Sequence, residues 1–453
     1  MAEAVTEPVG SLERLRTALD EGAVVAIRRM LHNLHPAEIG NLLESLPPAE
    51  RNIVWELVDP DDGGETLVHV NDEVRVRLIE AMEDDALLAA ADGMEVDDLA
   101  DLVADLPEAI TQRILLSMDI QDRQRLESVL GYDEDSAGGL MNTDTITVRK
   151  AVTVEVVLRY LRQHKNIPDQ TDTIFVVNRY GEYLGMLYVT RLLTHVESTT
   201  VEELMDTSVE GIPADMPANE VAKRFEDRDL VSAPVIDEQG VLVGRITIDD
   251  VVDVIRDEAE HSLMSMAGLD EETDMFAPVM VSARRRAVWL GFNLATAFVA
   301  AWVVGFFDAT IQQVVALAVL MPVVASMGGV AGMQTLTIVI RGLALGQLER
   351  SNASTLTGRE VLVGAINGVG FAALIAIITG LWFDDWRISA VIAGAMVVNM
   401  IVAAFAGLMV PLLLKRLNID PALAGSVVLT TVTDVIGFAT FLGLGTVFLA
   451  NGA

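Results

Sequence analysis

The stretch GSVVLTTVTDVIGFATFLGLG, residues 425–445, is apolar and long enough to cross a hydrocarbon core about 30 Å thick as one helix. Asp434 lies near its middle, and the stretch contains no Lys or Arg to neutralise it. Ser426, Thr430 and Asp434 recur every four residues, so they share one helix face, with Thr433 beside them. A charged Asp costs about 2.5–3.5 kcal/mol at the centre of a spanning helix. This polar stripe predicts a hydrated cation path, and the alternative is a protonated or hydrogen-bonded carboxylate that only packs.

Five apolar stretches in the C-terminal half predict five spanning helices. They lie at 286–307, 311–345, 360–383, 388–414 and 422–450. The second is interrupted by MGGVAGM (327–333), which predicts either close packing through small residues or unwound backbone along a water-filled path. Asp420 precedes a Pro at the start of the last stretch. This position predicts a helix N-cap or, alternatively, an ion ligand at the cytoplasmic mouth of the path.

Charge divides the chain into two parts. The net charge is −35, yet the residues from 286 onward carry seven basic and seven acidic side chains, so the first 285 residues hold all of the excess. Basic side chains lie at alternate ends of the apolar stretches, namely Arg284, Arg285, Arg286, Arg350, Arg359, Lys415 and Arg416. The positive-inside rule then predicts a multi-pass plasma-membrane protein with its acidic half in the cytoplasm and its C-terminus outside. So acidic a surface repels phosphates, which argues against nucleic-acid binding.

The ligand types restrict the cation. The chain has no Cys, and its membrane half has no His. Hydroxyl, amide and carboxylate oxygens favour Mg²⁺, Ca²⁺ or Mn²⁺ over Zn²⁺. One carboxylate per chain is too few for a Ca²⁺ cage, but it suffices for Mg²⁺, which keeps several waters. If two chains met on an axis along the last helix, two Asp434 side chains would face one hydrated ion.

Residues 1–133 predict an all-α domain of short helices. Apolar residues recur at three- and four-residue spacing in EIGNLLESLPPAERNIVWELVD and again in DLADLVADLPEAITQRILLSMD. The two segments align at an offset of sixty residues, with Ile39 opposite Leu99 and Leu43 opposite Val103. This weak internal repeat predicts a helical superhelix or bundle.

The next segment predicts an α/β pair. TIFVVNRYGEYLGMLYVTRLL and APVIDEQGVLVGRITIDDVVDVI repeat at an offset of fifty-nine, so that Gly181 aligns with Gly240. Each copy reads as two short strands around a turn, followed by a helix start. The segment resembles a tandem cystathionine-β-synthase (CBS) pair, with repeats at 138–200 and 201–262. The resemblance implies an adenosine-nucleotide site, such as one for ATP, at Thr247 and Asp250.

A dense acidic run, DDVVDVIRDEAEHSLMSMAGLDEETDM (249–275), follows the second repeat. Such runs are usually solvated helix faces. Here the membrane half begins ten residues later, and clustered carboxylates repel one another until a divalent cation relieves the repulsion. The run therefore predicts a cytoplasmic sensor of divalent ions. We also expect a connecting helix at 263–285, which overlaps the end of the run, and a transmembrane domain at 286–453.

The whole arrangement resembles the MgtE family of magnesium channels. Its most specific segments are YDEDSAGGLM (132–141), PVVASMGGVAGMQTLTIVIRGLA (322–344) and LNIDPALAGSVVLTTVTDVIGF (417–438). The resemblance implies a homodimer whose pore is closed by cytoplasmic Mg²⁺, with Asp434, Thr430 and Ser426 lining the path. It also implies regulatory Mg²⁺ ligands at Glu65, Asp97, Asp101, Asp237, Asp250, Asp253 and Glu258. His261 lies where the family often has another acid.

Two departures from the family pattern concern selectivity. The family's broken second span often contains GGNxGNQ, whereas this chain has GGVAGMQ at 328–334, and Ser426 replaces a frequent Asn. The expected function is a Mg²⁺ channel closed by cytoplasmic Mg²⁺. The alternative is a transporter of Mn²⁺, Co²⁺ or Ca²⁺ that adenosine nucleotide regulates at the CBS pair. We do not expect an enzyme, because the membrane half has neither a nucleophile–His pair nor a phosphate-binding loop.

Overall fold

The computed structural model describes residues 8–91, 94–104, 106, 108–118, 120–163, 167–168, 170–269, 273–348 and 351–450. The chain forms two compact units, each considered by itself below. The first comprises Met1–Glu260 with Glu272–Ala277, and the second comprises His261–Glu271 with Pro278–Ala453. Arg350, one of the basic residues used to predict orientation, lies outside the described residues.

The described part of the N-terminal domain consists of short α-helices, as predicted. They are Pro8–Asp20 (α1), Val24–Leu31 (α2), Pro36–Glu44 (α3), Pro48–Trp55 (α4), Pro60–Val68 (α5), Asp72–Ala81 (α6), Asp84–Ala91 (α7), Val96–Ala104 (α8), Glu108–Ser117 (α9) and Ile120–Val129 (α10). Proline begins α3, α4 and α5, where the first N–H groups have no intrahelical partner. Buried Leu, Ile and Val side chains of these helices form one core that continues into the second CBS repeat.

The predicted α/β pair is also present. Its strands are Thr147–Val148 (β1), Thr173–Val177 (β2), Tyr183–Tyr188 (β3), Ile212–Pro213 (β4), Ser232–Ile236 (β5) and Leu242–Thr247 (β6). Its helices are Val154–Gln163 (α11), Val189–Thr194 (α12), Val201–Leu204 (α13) and Ala218–Arg228 (α14). Within the described residues each repeat has a three-stranded sheet with one parallel and one antiparallel pairing. Gly181 and Gly240 occupy equivalent turns with φ of 87° and 79°, a conformation that favours glycine.

The connecting helix lies earlier than predicted. Helix α15 runs from Ile248 to Met266 and so begins directly after β6. Gly268 follows with φ of 70°, and Pro278 precedes the next helix, so residues 263–285 are not one helix. The prediction of a connecting helix at 263–285 was wrong, because this segment contains the end of α15, a non-helical stretch with Gly268 and Pro278, and the start of α16.

Five helices are long and apolar enough to span a membrane, within the described residues. They are Val279–Gly305 (α16), Val315–Ala344 (α18), Ala353–Phe383 (α19), Trp386–Arg416 (α20) and Pro421–Gly445 (α21); a short helix, Asp308–Gln313 (α17), precedes α18, and a π-helical turn, Thr446–Ala450, follows α21. Helix α20 is the most buried of the five and α16 the least. Many apolar side chains of α16 and α19 are exposed, as expected for surfaces that face lipid or a second copy.

The predicted interruption at 327–333 is absent, because α18 is helical throughout. Its glycines instead permit close packing. A Cβ on Gly328 would lie 2.2 Å from Asn399 Nδ2, and a Cβ on Gly332 would lie 2.9 Å from Leu429. The small-residue interpretation of MGGVAGM therefore holds, and the unwound-backbone interpretation is wrong.

Candidate functional site

The polar stripe of α21 lies on an accessible face of the chain. Thr430 is exposed, and Ser426 and Asp434 are half-buried. On the same helix, Leu429 is buried against α18 and Gly437 is buried against Asn399 of α20, so the stripe borders the packed side of α21. The Thr430 hydroxyl donates to the carbonyl of Ser426 at 2.9 Å, which leaves its oxygen lone pairs toward the accessible face. The stripe can therefore meet water or a second copy of the chain.

Thr433 differs from the rest of the stripe. Its side chain is fully buried, and its hydroxyl donates to the carbonyl of Thr430 at 3.0 Å. It takes part in packing α21 against its neighbours and does not lie on the accessible face with Asp434. Sequence spacing did not reveal this, because residue 433 is adjacent to the stripe in the helix projection.

Asp420 caps α21. Its carboxylate accepts hydrogen bonds from the backbone N–H groups of Ala422 and Leu423, each at 2.9 Å. His261 Nε2, which belongs to the same unit, lies 3.5 Å from Asp420 Oδ2. Both carboxylate oxygens are thus occupied, as the N-cap interpretation predicts.

Two substitutions at Asp420 should separate capping from ion binding. Asp420→Ala removes the acceptor and should destabilise α21 by about 0.5–2 kcal/mol, whereas Asp420→Asn retains capping ability. Hydrogen exchange of the amides of residues 422–424 in the full chain measures the first effect. If Asp420→Asn exchanges normally but loses cation flux, the carboxylate is an ion ligand in addition to a cap.

An acidic cluster in the soluble unit joins α8 to the start of α15. Asp97 is buried, and its Oδ1 lies 3.5 Å from Asn142 Nδ2. Burial and neighbouring carboxylates raise the pKa of Asp97, and burial with Asp97 and Asp249 raises the pKa of Asp250. Bound protons or nearby positive charges must therefore neutralise the carboxyl groups of Asp97 and Asp250 at neutral pH.

Asp98 and Asp101 extend this cluster. Burial and the charges of Asp250, Glu95, Asp101 and Asp249 raise the pKa of Asp98 to about 7. Asp101 is exposed one turn away on the same helix. Several carboxyl groups lie close together here, and ionising all of them is costly because their negative charges repel. A hard divalent cation stabilises such an arrangement. Sequence analysis selected Asp97, Asp101 and Asp250 but missed Asp98 and Asp249, which are adjacent to them.

The residues predicted for nucleotide binding lie within this acidic cluster. The backbone N–H and the hydroxyl of Thr247 donate to Asp250 Oδ2 at 3.2 and 3.1 Å, and the hydroxyl also donates to Asp249. The surrounding negative charge suits a cation better than a phosphate. A separate cleft of about 320 Å³ lies in the CBS pair, lined by residues of both repeats that include Asp172, Tyr188, Arg228 and Ser232.

The other predicted regulatory acids occupy different surroundings. Asp237 closes the turn between β5 and β6 by accepting from Gln239 and Val241, and Glu258 is exposed on α15. The carboxylate of Asp253 forms an ion pair with the guanidinium of Arg256 at 3.2 Å.

Glu65 lies near two histidines. Its Oε1 is 3.9 Å from His35 Nε2, and the negative charges of Glu65 and Asp253 both act to raise the pKa of His69. The structure thus places Asp97, Asp101 and Asp250 in one cluster and Asp237 in a turn.

Known protein families match the N domain, the α/β pair and the membrane part of this chain. Family models match the MgtE intracellular N domain at residues 34–135, two CBS domains at 137–198 and 201–257, and the divalent cation transporter domain at 321–444. The magnesium transporter MgtE of Thermus thermophilus is 30% identical over 96% of this chain and 98% of its own length. The chain belongs to the MgtE family.

Other MgtE relatives agree with this assignment. The magnesium transporter MgtE of Bacillus subtilis is 27% identical over 96% of this chain and 97% of its own length. A crystal structure of the cytosolic domain of the Mg²⁺ channel MgtE in complex with ATP is 33% identical and superimposes with a TM-score of 0.50, covering 54% of this chain and 99% of its own. This MgtE chain is therefore a multi-pass membrane protein with a helical N domain and a CBS pair.

Two buried polar side chains of the MgtE membrane domain were not predicted. Asn399 is fully buried between Gly328 and Gly437; its Nδ2 donates to the carbonyl of Val324 at 2.8 Å, and its Oδ1 has no partner within the described residues. Glu360 is buried near the start of α19 and accepts from the Thr335 hydroxyl at 3.2 Å. A carboxylate within the predicted stretch 360–383 was the available signal for Glu360.

Proposed function

We propose that this chain conducts Mg²⁺ across the plasma membrane as a homodimer, with the α21 stripe lining the path. The accessible position of Asp434 carries the proposal, because a carboxylate at that depth is stabilised by a hydrated cation more readily than by lipid. A symmetric pair of chains would bring two such carboxylates to one ion. Mg²⁺ is commonly bound by one or two carboxylates while it keeps several waters. The MgtE relatives are magnesium transporters, which supports Mg²⁺ as the substrate.

Flux into proteoliposomes tests this function directly. Vesicles containing the purified chain and a trapped Mg²⁺ indicator should show Mg²⁺ entry that empty vesicles lack. Parallel runs with Mn²⁺, Co²⁺ and Ca²⁺ establish selectivity. Crosslinking of single cysteines introduced on the exposed face of α21, in this naturally cysteine-free chain, tests the dimer axis.

The proposed orientation places the acidic unit in the cytoplasm, where it would close the pore when Mg²⁺ is abundant. Without a cation the carboxylates around Asp97 and Asp250 repel, and Mg²⁺ would hold α8 against α15. Shifting a two-state equilibrium from 1:99 to 99:1 takes about 5.5 kcal/mol of differential binding. Several weakly bound ions can supply that amount, which suits sensing at millimolar concentration.

Neutralising two regulatory acids should abolish closure. In Asp250→Asn/Asp253→Asn, Mg²⁺ loses ligands on α15, so flux should stay high when the cytoplasmic side contains saturating Mg²⁺. The matched control is Asp257→Asn, which removes an acid from the same helix. If the double variant closes at the same Mg²⁺ concentration as the wild type, the sensor assignment is incorrect.

We also infer nucleotide binding at the CBS cleft, in keeping with the ATP complex of the related cytosolic domain. ATP titration of the full chain, with Tyr188→Ala and Thr247→Ala compared, would locate the site. Loss of binding only in Tyr188→Ala would place nucleotide in the cleft, and loss only in Thr247→Ala would place it in the acidic cluster. We infer no enzymatic activity, since the membrane half has neither His nor Cys to activate a nucleophile.

A further inference from the structure

Three side chains of the helical N domain bring their ligand atoms within 4.8 Å of one another: His35, Glu65 and His69. Glu65 lies on α5, and His69, four residues later, is the C-cap residue of that helix, so the two side chains lie on the same side of its C-terminal end. His35 is the N-cap residue of α3, and its Nε2 lies 3.9 Å from Glu65 Oε1. The two imidazole ring centres are 6.3 Å apart. Two nitrogens and one oxygen therefore converge from two elements.

We propose that His35, Glu65 and His69 form a binding site for a divalent transition-metal ion of the Zn²⁺ class. Imidazole nitrogen suits Zn²⁺, whereas Mg²⁺ selects oxygen ligands. Two His and one carboxylate, with water in the fourth position, make a common open Zn²⁺ coordination set. This site differs in chemistry from the all-oxygen cluster around Asp97 and Asp250, and it assigns Glu65 to a metal other than Mg²⁺.

The backbone holds the two elements of this site close together. A Cβ on Gly40 of α3 would lie 2.8 Å from the carbonyl oxygen of His69, so only glycine permits this approach. A Cβ on Gly64 of α5 would lie 2.1 Å from the carbonyl oxygen of Ala90 on α7. One ligand thus lies on a packed helix and the other two lie at helix ends, which lowers the ordering cost of binding a metal.

The surroundings of the two imidazoles are compatible with metal binding. Burial lowers the pKa of His69 despite the charges of Glu65 and Asp253, so the ring offers a lone pair at neutral pH. His35 Nδ1 accepts a long hydrogen bond from the Ala37 N–H, at 3.3 Å. Coordination through Nε2 moves the His35 proton to Nδ1 and ends that bond, while Glu38 still accepts from the His35 N–H at 3.0 Å.

Zn²⁺ titration of the purified full chain tests the proposal, with saturating Mg²⁺ present throughout to occupy oxygen sites. Competition against a chromogenic chelator should show one Zn²⁺ bound per chain. His35→Ala/His69→Ala should weaken binding by at least about a hundredfold, and Glu65→Gln by about tenfold or more. His32→Ala is the matched control, because it removes an exposed histidine nearby and should leave Zn²⁺ affinity unchanged.

Co²⁺ supplies a second readout that a folding defect would not imitate. Tetrahedral Co²⁺ with nitrogen ligands gives intense visible absorption, which should appear in the wild type and in His32→Ala and be absent from His69→Ala. Equal Zn²⁺ affinity in the wild type and the double variant, or displacement of Zn²⁺ by Mg²⁺, would overturn the site. The titration requires no transport, so its failure leaves the proposed channel function untouched.

Discussion

Asp434→Asn should reduce Mg²⁺ flux by at least about a hundredfold. The substitution keeps the size of the side chain and removes the negative charge that holds the cation at mid-depth. An ion–carboxylate contact at low dielectric contributes several kcal/mol, and each 1.4 kcal/mol is a factor of ten. Proteoliposome flux with equal protein loading, checked by gel filtration of the variant, measures the effect.

Asp308→Asn is the matched control for this experiment. It also removes one carboxylate from the membrane half, but from the exposed short helix α17. Its flux should stay within a factor of about two of the wild type, because a surface charge contributes little. Wild-type flux in Asp434→Asn would show that this carboxylate only packs, which is the alternative interpretation of the stripe.

Asp274→Ala should lower the local stability of α4 by about 3–5 kcal/mol, because it leaves a buried cation without its partner. The Arg51 side chain is 1% exposed, and its guanidinium donates two hydrogen bonds to the carboxylate of Asp274, at 2.8 and 2.9 Å. It also donates to the carbonyls of Leu43 and Leu46. Arg77 approaches the same carboxylate at 3.3 Å. Residue 274 is thereby tied to the helical N domain four residues before Pro278.

Hydrogen exchange of α4 amides in the full chain measures this loss of stability, which should make exchange about a hundredfold to several thousandfold faster. Arg123→Ala, which breaks an exposed pair with Glu127, is the control and should change stability by less than about 1 kcal/mol. An effect of Asp274→Ala no larger than that of the control would mean that the buried pair contributes nothing.

The same pair predicts a dependence on pH. Burial alone would raise the pKa of Asp274, but bonds from Arg51 and the Phe276 N–H and the charges of Arg51 and Arg77 bring it below 3.8. A depressed carboxyl pKa stabilises the fold fully above the unfolded value and loses that contribution as pH falls through the folded value. The difference in the local stability of α4 between the wild type and Asp274→Ala should therefore persist at neutral pH and shrink below pH 3.8.

Local sequence patterns predicted the elements more reliably than their ends. The five spanning helices and both CBS repeats follow from periodicities within twenty or so residues. The connecting helix was misplaced because an apolar window cannot locate a stop at Gly268. MGGVAGM was ambiguous because glycine weakens a helix and equally permits close packing, and only the neighbouring Asn399 and Leu429 decide between these.

The sequence by itself determined the two-part organisation, the five spans and the stripe that ends at Asp434. These depend on composition and on the helix repeat, which are local properties of the chain. Only the tertiary structure brought Asp97 to Asp250, Arg51 to Asp274 and His35 to Glu65. Such pairs join residues from distant parts of the chain, 223 positions apart for Arg51 and Asp274. Which helices meet is set by the packing of the whole unit, so no window of sequence contains the information.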